Sequence, residues 1–265
     1  MKKVLILGGN GLVGSEIVKG LNGAYEVVST AGHHEIEGGY TLLAGEDDKL
    51  LRILVKEKPD VIVSSIVGAF DTLLSFHRVL GNWCSQYGKR LIYISTTNVF
   101  DGDLSAPVDE NTTPVPESDY GKHKLECENM LVDVLGNNLA IMRLNSVWTP
   151  GCKRVVRLMQ SSENGIEIET FPGDMITVTL GTQIGEYAKY IIDGNLSGVF
   201  HVGSEDMVDY HQFELMVCDR LHIRSPLFKV IEVERPAYQA FLPTIIDIPQ
   251  SIRRTVDDVL DALSL

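Results

Sequence analysis

The sequence predicts a doubly wound α/β fold, a parallel β-sheet with helices on both faces, together with a smaller α/β C-terminal lobe. Short apolar runs alternate with stretches of helical periodicity, and the composition does not change sharply along the chain. The first apolar run, Val4–Leu7, ends abruptly at Gly8-Gly9, which is typical of a strand buried on both faces of a parallel sheet. We expect one domain over residues 1–148, to which residues 182–202 return, and a lobe formed mainly by residues 149–265.

The composition limits the classes of function. The 265 residues carry a formal net charge of −13, which argues against nucleic acid or an anionic membrane surface as the main partner. The apolar run at the N-terminus is too short for a signal peptide, and no run approaches membrane-spanning length. The cysteines show neither a CxxC pair nor a metal-like spacing, so we expect reduced thiols in the core or at the surface of a cytoplasmic protein: Cys84, Cys127, Cys152 and Cys218.

The glycines after the first strand match a dinucleotide-binding fingerprint. Both Gly9-x-Gly11-x-x-Gly14 and its variant Gly8-x-x-Gly11-x-x-Gly14 are present, and a helical pattern follows them directly. A Cβ in such a loop would block the tight turn and keep backbone N–H groups away from a pyrophosphate at the helix N-terminus. A glycine-rich turn without a ligand is the alternative, but the flanking strand and helix favour a Rossmann fold. The candidate cofactor-binding residues of the loop are Gly8, Asn10, Gly11, Leu12, Val13 and Gly14.

The second strand, predicted over Tyr25–Ser29, bears on the choice of cofactor. An acid at its tip would hold the adenine ribose of NAD, but Glu26 comes too early and the tip reads Ser29-Thr30-Ala31-Gly32-His33-His34. Nothing there repels a 2′-phosphate, and the hydroxyls of Ser29 and Thr30 and the histidines could bond to it, so NADP(H) is favoured while NAD(H) stays open. We interpret His33-His34 as a solvated loop pair rather than a metal site.

The next elements continue the alternation of strand and helix. Pro59 ends the second helical pattern, and Ser64, Ser65 and Ile66 lie where a strand end could approach a cofactor closely. In chain order we predict strand, helix, strand, helix and strand over Tyr40–Leu43, Lys49–Lys58, Val61–Ser65, Leu73–Gly88 and Arg90–Ser95. Further helices are predicted over Lys153–Met159, Thr182–Ile192 and Tyr210–His222.

A candidate proton-transfer group follows the fifth predicted strand and consists of Thr96, Tyr120 and Lys124. Thr96 lies at the carboxyl end of that strand, where folds of this class bind ligands, and a helix capped by Ser118 or Asp119 carries Tyr120 and Lys124. Tyr120 and Lys124 are four residues apart on one helix face, so the ammonium should lower the tyrosine pKa from its usual value of about 10. An ordinary surface helix is the alternative. Combined with the glycine fingerprint, the pattern predicts acid–base catalysis.

The order of these motifs resembles the extended short-chain dehydrogenase/reductases, most closely the dTDP-4-dehydrorhamnose reductase group. The segments that carry the resemblance are GGNGLVG, YISTTNVFDG, YGKHK and MRLNSVW. Similarity continues at Gly198–Gly203, which resembles a returning strand, and at Arg235-Pro236 with Ile246-Asp247. The resemblance implies catalytic roles for Thr96, Tyr120 and Lys124, and it adds Leu144 to the candidate cofactor-binding residues.

The departures from that group lie at positions expected to recognise the substrate. An Asp-Tyr pair after the catalytic threonine is replaced by Thr97-Asn98, a tryptophan is replaced by Ser146, and the stretch Ile66–Thr72 is shorter. Arg154 belongs to a small basic cluster that could bind a nucleotide pyrophosphate, although a solvated helix face explains the cluster equally well. The candidate substrate-binding residues are therefore Thr97, Asn98, Ser146 and Arg154.

We therefore expect an NADP(H)-dependent reductase that acts on a carbonyl of a nucleotide-linked sugar or a similar small molecule. The nicotinamide would deliver hydride, Tyr120 the proton, Lys124 would hold the nicotinamide ribose and Thr96 the substrate oxygen. The alternative is a catalytically silent, nucleotide-binding regulatory protein of the same fold, which the altered substrate positions keep open. No nucleic acid, membrane or metal is expected, and a homodimer stays open.

Overall fold

A parallel sheet of seven strands forms the centre of the molecule. The computed structural model describes residues 1–34, 36–232, 237–242 and 247–264. With strands numbered along the whole chain, the sheet contains β1 Lys3–Leu7, β2 Glu26–Ala31, β3 Tyr40–Thr41, β4 Val61–Ser64, β5 Arg90–Thr96, β6 Leu139–Leu144 and β11 Gly198–Val202. Their order is β11-β6-β5-β4-β1-β2-β3, and every adjacent pair is parallel. From β1 the chain adds β2 and β3 on one side and then returns to add β4 on the other side of β1. The order of strand addition therefore reverses between β1 and β4, and a ligand crevice is expected at the carboxyl ends of these two strands.

Helices cover both faces of the sheet because the side chains of each strand alternate between two apolar cores. In β1, Val4 and Ile6 belong to the core under one pair of helices, whereas Leu5 and Leu7 belong to the core under the other helices. The first core is closed by α1 Leu12–Leu21 and α6 Gly181–Asp193. The second is closed by α2 Asp47–Glu57, α3 Phe70–Gln86 and α4 Asp119–Leu135. The predicted doubly wound fold is thus confirmed.

The remaining elements pack around a third apolar core. Trp148 is fully buried at its centre, where its ring meets Phe213 edge-on at a centroid distance of 4.9 Å. The short strands and helices around this core are β7 Ser146–Trp148, α5 Lys153–Asn164, β8 Ile168–Thr170, β9 Asp174–Ile176, β10 Val178–Leu180, β12 Val208–Asp209, α7 Tyr210–Arg220, β13 Phe228–Val230, β14 Ala237–Gln239 and α8 Val256–Leu263. The strands pair as β10-β7, β12-β9-β14 and β13-β8.

Two glycines allow α1 and α6 to cross at unusually close range. A Cβ added to Gly20 would lie 2.7 Å from the Gly185 Cα, and one added to Gly185 would lie 2.6 Å from the Glu16 carbonyl oxygen. Backbone therefore packs on backbone at this crossing. As a result α6, which follows residue 180 in sequence, is fixed directly on the helix that begins at the glycine loop.

Most predicted elements are present with bounds that differ by a few residues. The helix predicted over Leu73–Gly88 begins earlier, at Phe70, and the helix predicted from Lys153 continues to Asn164. All four cysteines are free and buried, so none is a surface thiol. Within the described ranges, no helix has the length and apolar character needed to cross a bilayer. Of the late similarity, Arg235, Pro236 and Ile246 lie outside the described residues.

Candidate active site

The glycine loop between β1 and α1 is too closely packed to accept side chains at Gly8, Gly9 and Gly14. A Cβ on Gly14 would lie 2.1 Å from the Gly8 carbonyl oxygen, and a Cβ on Gly8 would lie 2.9 Å from the Ser65 carbonyl oxygen. Gly8 also has a φ of +83°, which favours glycine. The Cβ position of Gly11 is more open, with its nearest neighbour at 3.4 Å. In the described part of the chain no side chain caps α1, so its first N–H groups fit an anion such as a pyrophosphate.

The end of β2 packs against the glycine loop, whereas Ser29 and Thr30 were predicted to contact the cofactor. The strand continues past Ser29 to Ala31, because Thr30 and Ala31 pair with β3. Thr30 is fully buried, and its hydroxyl accepts a 3.1 Å hydrogen bond from the Gly8 N–H. Ser29 packs against Gly9, where an added Cβ would lie 2.6 Å from the Ser29 Cβ. The open tip of the strand is therefore Gly32-His33-His34, beyond the predicted pair Ser29 and Thr30.

The two serines at the end of β4 point to different environments. Ser65 donates to the Leu7 carbonyl oxygen over 3.0 Å, which joins the glycine loop to β4. Ser64 is buried and hydrogen-bonded to His77 Nε2 over 2.9 Å, beneath α3. The other ring nitrogen of His77 donates to the Leu73 carbonyl oxygen, and burial lowers the His77 pKa to about 3, so its ring is neutral. Ser64 thus belongs to the core, and Ser65 is the serine at the crevice.

Two adjoining cavities form a crevice along the carboxyl ends of the strands. The outer cavity, of about 550 Å³, lies beside the glycine loop, and the inner cavity, of about 260 Å³, lies beside β5 and α4. Both are lined by the stretch Ser65–Gly68. The outer cavity is also lined by Gly8, Asn10, Gly11, Gly32, His33, His34 and Leu42–Ala44. The inner cavity is also lined by Val13, Phe70, Leu73, Ile94–Thr96, Tyr120, His123, Lys124, Leu144, Asn145 and Val147.

Thr96 and Tyr120 meet in the inner cavity. Thr96 ends β5 and is mostly buried, whereas Tyr120 lies in the first turn of α4 and is 41% exposed. Ser118 is the N-cap of α4, because its hydroxyl accepts from the Gly121 N–H over 3.0 Å. Burial raises the pKa of Tyr120, and a hydrogen bond with the Thr96 side chain opposes this rise. Tyr120 is therefore protonated at neutral pH.

Lys124 lies at the bottom of the same cavity and does not produce the predicted fall in the Tyr120 pKa. Its Nζ donates to the Ile94 carbonyl oxygen over 2.8 Å and lies 4.7 Å from the centre of the Tyr93 ring. The distance from Nζ to the centre of the Tyr120 ring is 6.0 Å, and burial decides the Tyr120 pKa instead. Burial also lowers the pKa of Lys124 itself, to about 8.

Several residues that line the inner cavity were missed from the sequence, among them His123 and Phe70. His123 is buried, and its ring stacks on Phe70 at a centroid distance of 4.7 Å. Burial lowers the His123 pKa, and the neighbouring Lys124 charge lowers it further. The helical spacing could have indicated His123, because it lies three residues after Tyr120 on the same face of α4. Phe70 carried no such signal, since the predicted helix began after it.

A buried ion pair holds α4 against the sheet behind Thr96, Tyr120 and Lys124. Arg143 of β6 donates to Glu128 of α4 through Nε over 3.1 Å and through Nη2 over 2.6 Å. Ser95 of β5 donates to the same carboxylate. Both charged side chains are nearly inaccessible to solvent. The pair therefore fixes the helix that carries Tyr120 and Lys124 relative to the strand that carries Thr96.

The four candidate substrate-binding residues lie around the inner cavity but outside its lining. Asn98 Oδ1 accepts a 2.9 Å hydrogen bond from the Thr96 hydroxyl, and Thr97 begins the same short 3₁₀ turn. The Ser146 N–H donates to Asn145 Oδ1 over 2.7 Å, and Asn145, not Ser146, lines the cavity. Arg154 donates to the Val147 carbonyl oxygen over 3.2 Å, with its guanidinium near the Trp148 ring.

Residues 74–250 match the family described as the RmlD substrate binding domain. The chain belongs to this family. The match covers more than half of the chain, including α4 with Tyr120 and Lys124. The RmlD family assignment confirms the predicted resemblance to the dTDP-4-dehydrorhamnose reductase group.

Other members and structural neighbours agree with the family assignment. The dTDP-4-dehydrorhamnose reductase of Aggregatibacter actinomycetemcomitans is 24% identical, over 98% of this chain and 91% of that protein. The crystal structure of dTDP-4-dehydrorhamnose reductase from Bacillus anthracis in complex with NADP has a TM-score of 0.84 and 20% identity, over 98% of this chain and 97% of that one. A Bacillus anthracis dTDP-glucose 4,6-dehydratase in complex with NAD has a TM-score of 0.81 and 12% identity, over 100% and 96% of the two chains. The fold is that of these two structures.

The titratable residues do not suggest a metal centre. Among the described residues, no group of three or more His, Cys, Asp or Glu side chains is arranged to hold a metal ion. His33 and His34 line the outer cavity.

Proposed function

We propose that this protein is an NADP(H)-dependent reductase that reduces a carbonyl group of a nucleotide-linked sugar. One observation carries the proposal. Thr96, Tyr120 and Lys124 line a single cavity, and the stretch Ser65–Gly68 joins that cavity to the one at the glycine loop. A dinucleotide bound along the crevice would therefore place its two ends in the two cavities. The names of the relatives support the class of substrate.

The residues of the crevice fit the cofactor. Gly8 and Gly14 leave no room for side chains, and the open position at Gly11 together with the start of α1 would hold the pyrophosphate. Ser65, Ile66, Val13 and Leu144 would line the nicotinamide end. When bound, NADPH supplies the hydride that a carbonyl reduction requires.

The side chains of this chain supply the proton and the charge. Burial keeps Tyr120 protonated, so it can donate its proton as negative charge develops on the substrate oxygen. The Lys124 ammonium, whose Nζ lies 6.0 Å from the centre of the Tyr120 ring, would hold a ribose hydroxyl of the cofactor. Thr96, beside Tyr120, would position the substrate oxygen.

The tip of β2 supports NADP(H) over NAD(H). Gly32, His33 and His34 line the outer cavity, and none of these three residues carries a carboxylate that would repel a 2′-phosphate. The imidazole rings of His33 and His34 could donate hydrogen bonds to that phosphate. Ser29 and Thr30 are left out of this assignment because they pack against the glycine loop.

The rest of the proposal concerns the lobe and the setting of the protein. We assign residues 149–180 and those after β11 to substrate binding, with Arg154 near the sugar nucleotide. The four cysteines are free and buried, which fits a reducing compartment, and we place the enzyme in the cytoplasm. A catalytically silent regulatory protein is not favoured, because the three catalytic groups share one cavity.

A screen of nucleotide-linked keto sugars and simple carbonyls with NADPH tests the proposal. The best substrate is then tested with Tyr120→Phe, which keeps the ring and removes the proton donor. We expect kcat to fall by about 10²–10⁴-fold with unchanged NADPH affinity. Tyr87→Phe is the matched control, because Tyr87 is 52% exposed at the end of α3, away from the crevice. Turnover that is indifferent to Tyr120→Phe, or NADPH binding without turnover of any carbonyl, would contradict the proposal.

A further inference from the structure

His123 lines the inner cavity, and the proposed mechanism gives it no role. It lies on α4 three residues after Tyr120, and only 6% of its surface is exposed. Its ring stacks on Phe70 with an angle of 9° between the two planes, which fixes the orientation of the imidazole. The Phe70 ring also lies 6.2 Å from the Tyr120 ring. The imidazole is therefore held in the wall of the cavity, close to the proton donor.

The ring nitrogens of His123 are poorly satisfied by the protein. Among the described residues their hydrogen-bonding partner is the Cys127 thiol, whose Sγ lies 3.9 Å from Nδ1 and 3.7 Å from Nε2. A thiol is a weak partner, and the two ring nitrogens point in different directions, so one sulfur cannot lie in line with both. Buried polar groups generally have hydrogen-bond partners, because an unpaired one costs free energy. At least one ring nitrogen is thus left for a ligand.

The other polar side chains of the inner cavity are already engaged. Ser65 donates its hydroxyl proton to a backbone carbonyl oxygen, and Ser95 donates its proton to a buried carboxylate. Asn145 donates from its amide nitrogen to two acceptors and accepts a backbone N–H at its oxygen. The remaining three are assigned to the reacting carbonyl and the cofactor: Thr96, Tyr120 and Lys124. Within the described lining, His123 is the side chain left to bind a second polar group.

A neutral imidazole in this position suits a hydroxyl group. Burial and the neighbouring Lys124 charge lower the pKa of His123, so the ring is neutral at pH 7 and has one N–H donor and one acceptor nitrogen. A hydroxyl group likewise donates one hydrogen bond and accepts others. Residues three apart on a helix are neighbours, with Cβ atoms about 5–6 Å apart. While Tyr120 contacts the carbonyl oxygen of a substrate, His123 can therefore reach an oxygen on the adjacent carbon.

We propose that His123 is a specificity-determining residue that binds the hydroxyl group on the carbon next to the reacting carbonyl. The proposal rests on the proposed reductase function and narrows its substrates to α-hydroxy carbonyl compounds, a class to which keto sugars belong. A site that hydrogen-bonds a substrate hydroxyl rejects the analogue that lacks it, because the buried nitrogen is then left unpaired. His123 thus separates hydroxylated substrates from their deoxy analogues, whereas Tyr120 and Thr96 act on the carbonyl that both share.

Calorimetry with a matched pair of ligands tests the proposal without turnover. The pair is a dTDP-linked 4-keto hexose with a hydroxyl group at C3 and its 3-deoxy analogue, each titrated into the NADP⁺ complex, which has no hydride to transfer. We expect the wild-type protein to bind the hydroxylated ligand about 10-fold more tightly. His123→Phe keeps an aromatic ring on Phe70 but has no nitrogen, so it should lose this preference. His123→Gln keeps a donor and an acceptor and should retain part of it.

Asn129→Phe is the matched control for these titrations. It makes a polar-to-aromatic change on the same helix, at an exposed position outside the crevice, and should keep the full preference. Retention of the 10-fold preference in His123→Phe would overturn the proposal. So would a wild-type protein that binds the two ligands equally or binds neither.

Kinetics with NADPH give the second readout. His123→Phe should lower kcat/KM about 10-fold for the hydroxylated ketone and leave kcat/KM for the deoxy ketone unchanged, because His123 acts on the hydroxyl group and not on proton transfer. An equal fall for both ketones would show a structural role and overturn the proposal. Absence of turnover of both ketones in the wild-type protein would instead contradict the reductase function, and the binding preference would still decide the role of His123.

Discussion

Lys124→Met should make the protein more stable at neutral pH while it impairs the reaction. Lys124 is a charged side chain in a buried position, held by a single 2.8 Å hydrogen bond to the Ile94 carbonyl oxygen and by the face of the Tyr93 ring. Methionine is of similar length and carries no charge to desolvate. The substitution therefore removes the cost of a buried charge that we assign to the proposed reaction and not to the fold.

The size of the effect follows from the Lys124 pKa. Burial lowers it from 10.5 to about 8, which corresponds to about 3 kcal/mol against the folded state whenever the amine is charged. The lost hydrogen bond to Ile94 offsets about 1 kcal/mol of this. We therefore expect Lys124→Met to raise the free energy of unfolding by about 2 kcal/mol at pH 7, or the melting temperature by about 4–8 °C.

The pH dependence has a defined sign. Below pH 8 Lys124 is charged in both the folded and the unfolded state, so the full cost is present. Between about pH 8 and 10.5 the unfolded state binds more protons, so the stability of the wild-type protein rises and the advantage of Lys124→Met shrinks. Activity should change in the opposite direction, since the ammonium is lost as pH rises through about 8, and kcat/KM should fall there.

Urea unfolding of cofactor-free protein at pH 7 and pH 10, followed by tryptophan fluorescence, measures the difference. Lys122→Met is the matched control, because Lys122 is exposed on the same helix and should show no comparable gain. A Lys124→Met variant that is less stable than wild type at pH 7, or a difference that does not change between the two pH values, would refute this account of the buried charge.

Two more predictions concern the cofactor. Gly14→Val should abolish NADPH binding, since its Cβ would meet the Gly8 carbonyl oxygen at 2.1 Å; fluorescence titration checks binding and circular dichroism checks folding, and undiminished binding would remove the role of the loop. Gly32→Asp places a carboxylate at the open tip of β2, where an added Cβ has an ordinary 3.6 Å contact with Leu43. It should reverse the preference from NADPH to NADH by repelling the 2′-phosphate; an unchanged ratio of the two dissociation constants would count against the assignment of that tip.

The glycine loop and the placement of Tyr120 and Lys124 on one helix could be predicted from the sequence because each depends on short spacing. A glycine pattern that follows a strand, or Tyr120 and Lys124 on one helix turn, needs only local geometry. The fold class followed for the same reason, since alternating strands and helices leave few topologies.

The rest depended on contacts between distant segments. The residue type of Thr30 is compatible both with an exposed position at the end of β2 and with a buried position under Gly8. The pairing of β2 with β3 places it under Gly8, and this pairing is not visible in the local sequence. Ser64 was indistinguishable from Ser65 until the position of His77 was known. The Tyr120 pKa was mispredicted because adjacency to Lys124 is visible in the sequence, whereas the desolvation that outweighs it is not.

The crossing of Gly20 over Gly185 has a consequence for synthesis of the protein. The helix that begins at the glycine loop, α1, packs against α6, which follows it in the chain by about 165 residues. The strand β11, which pairs with the outer edge of β6, comes later still. A nascent chain that has emerged only as far as Trp148 therefore exposes the apolar faces of α1 and an unpaired edge of the sheet. Residues 1–148 therefore cannot complete their packing while they are being synthesised. They must wait for the intervening lobe, so pausing between residues 149 and 180 would leave an aggregation-prone intermediate.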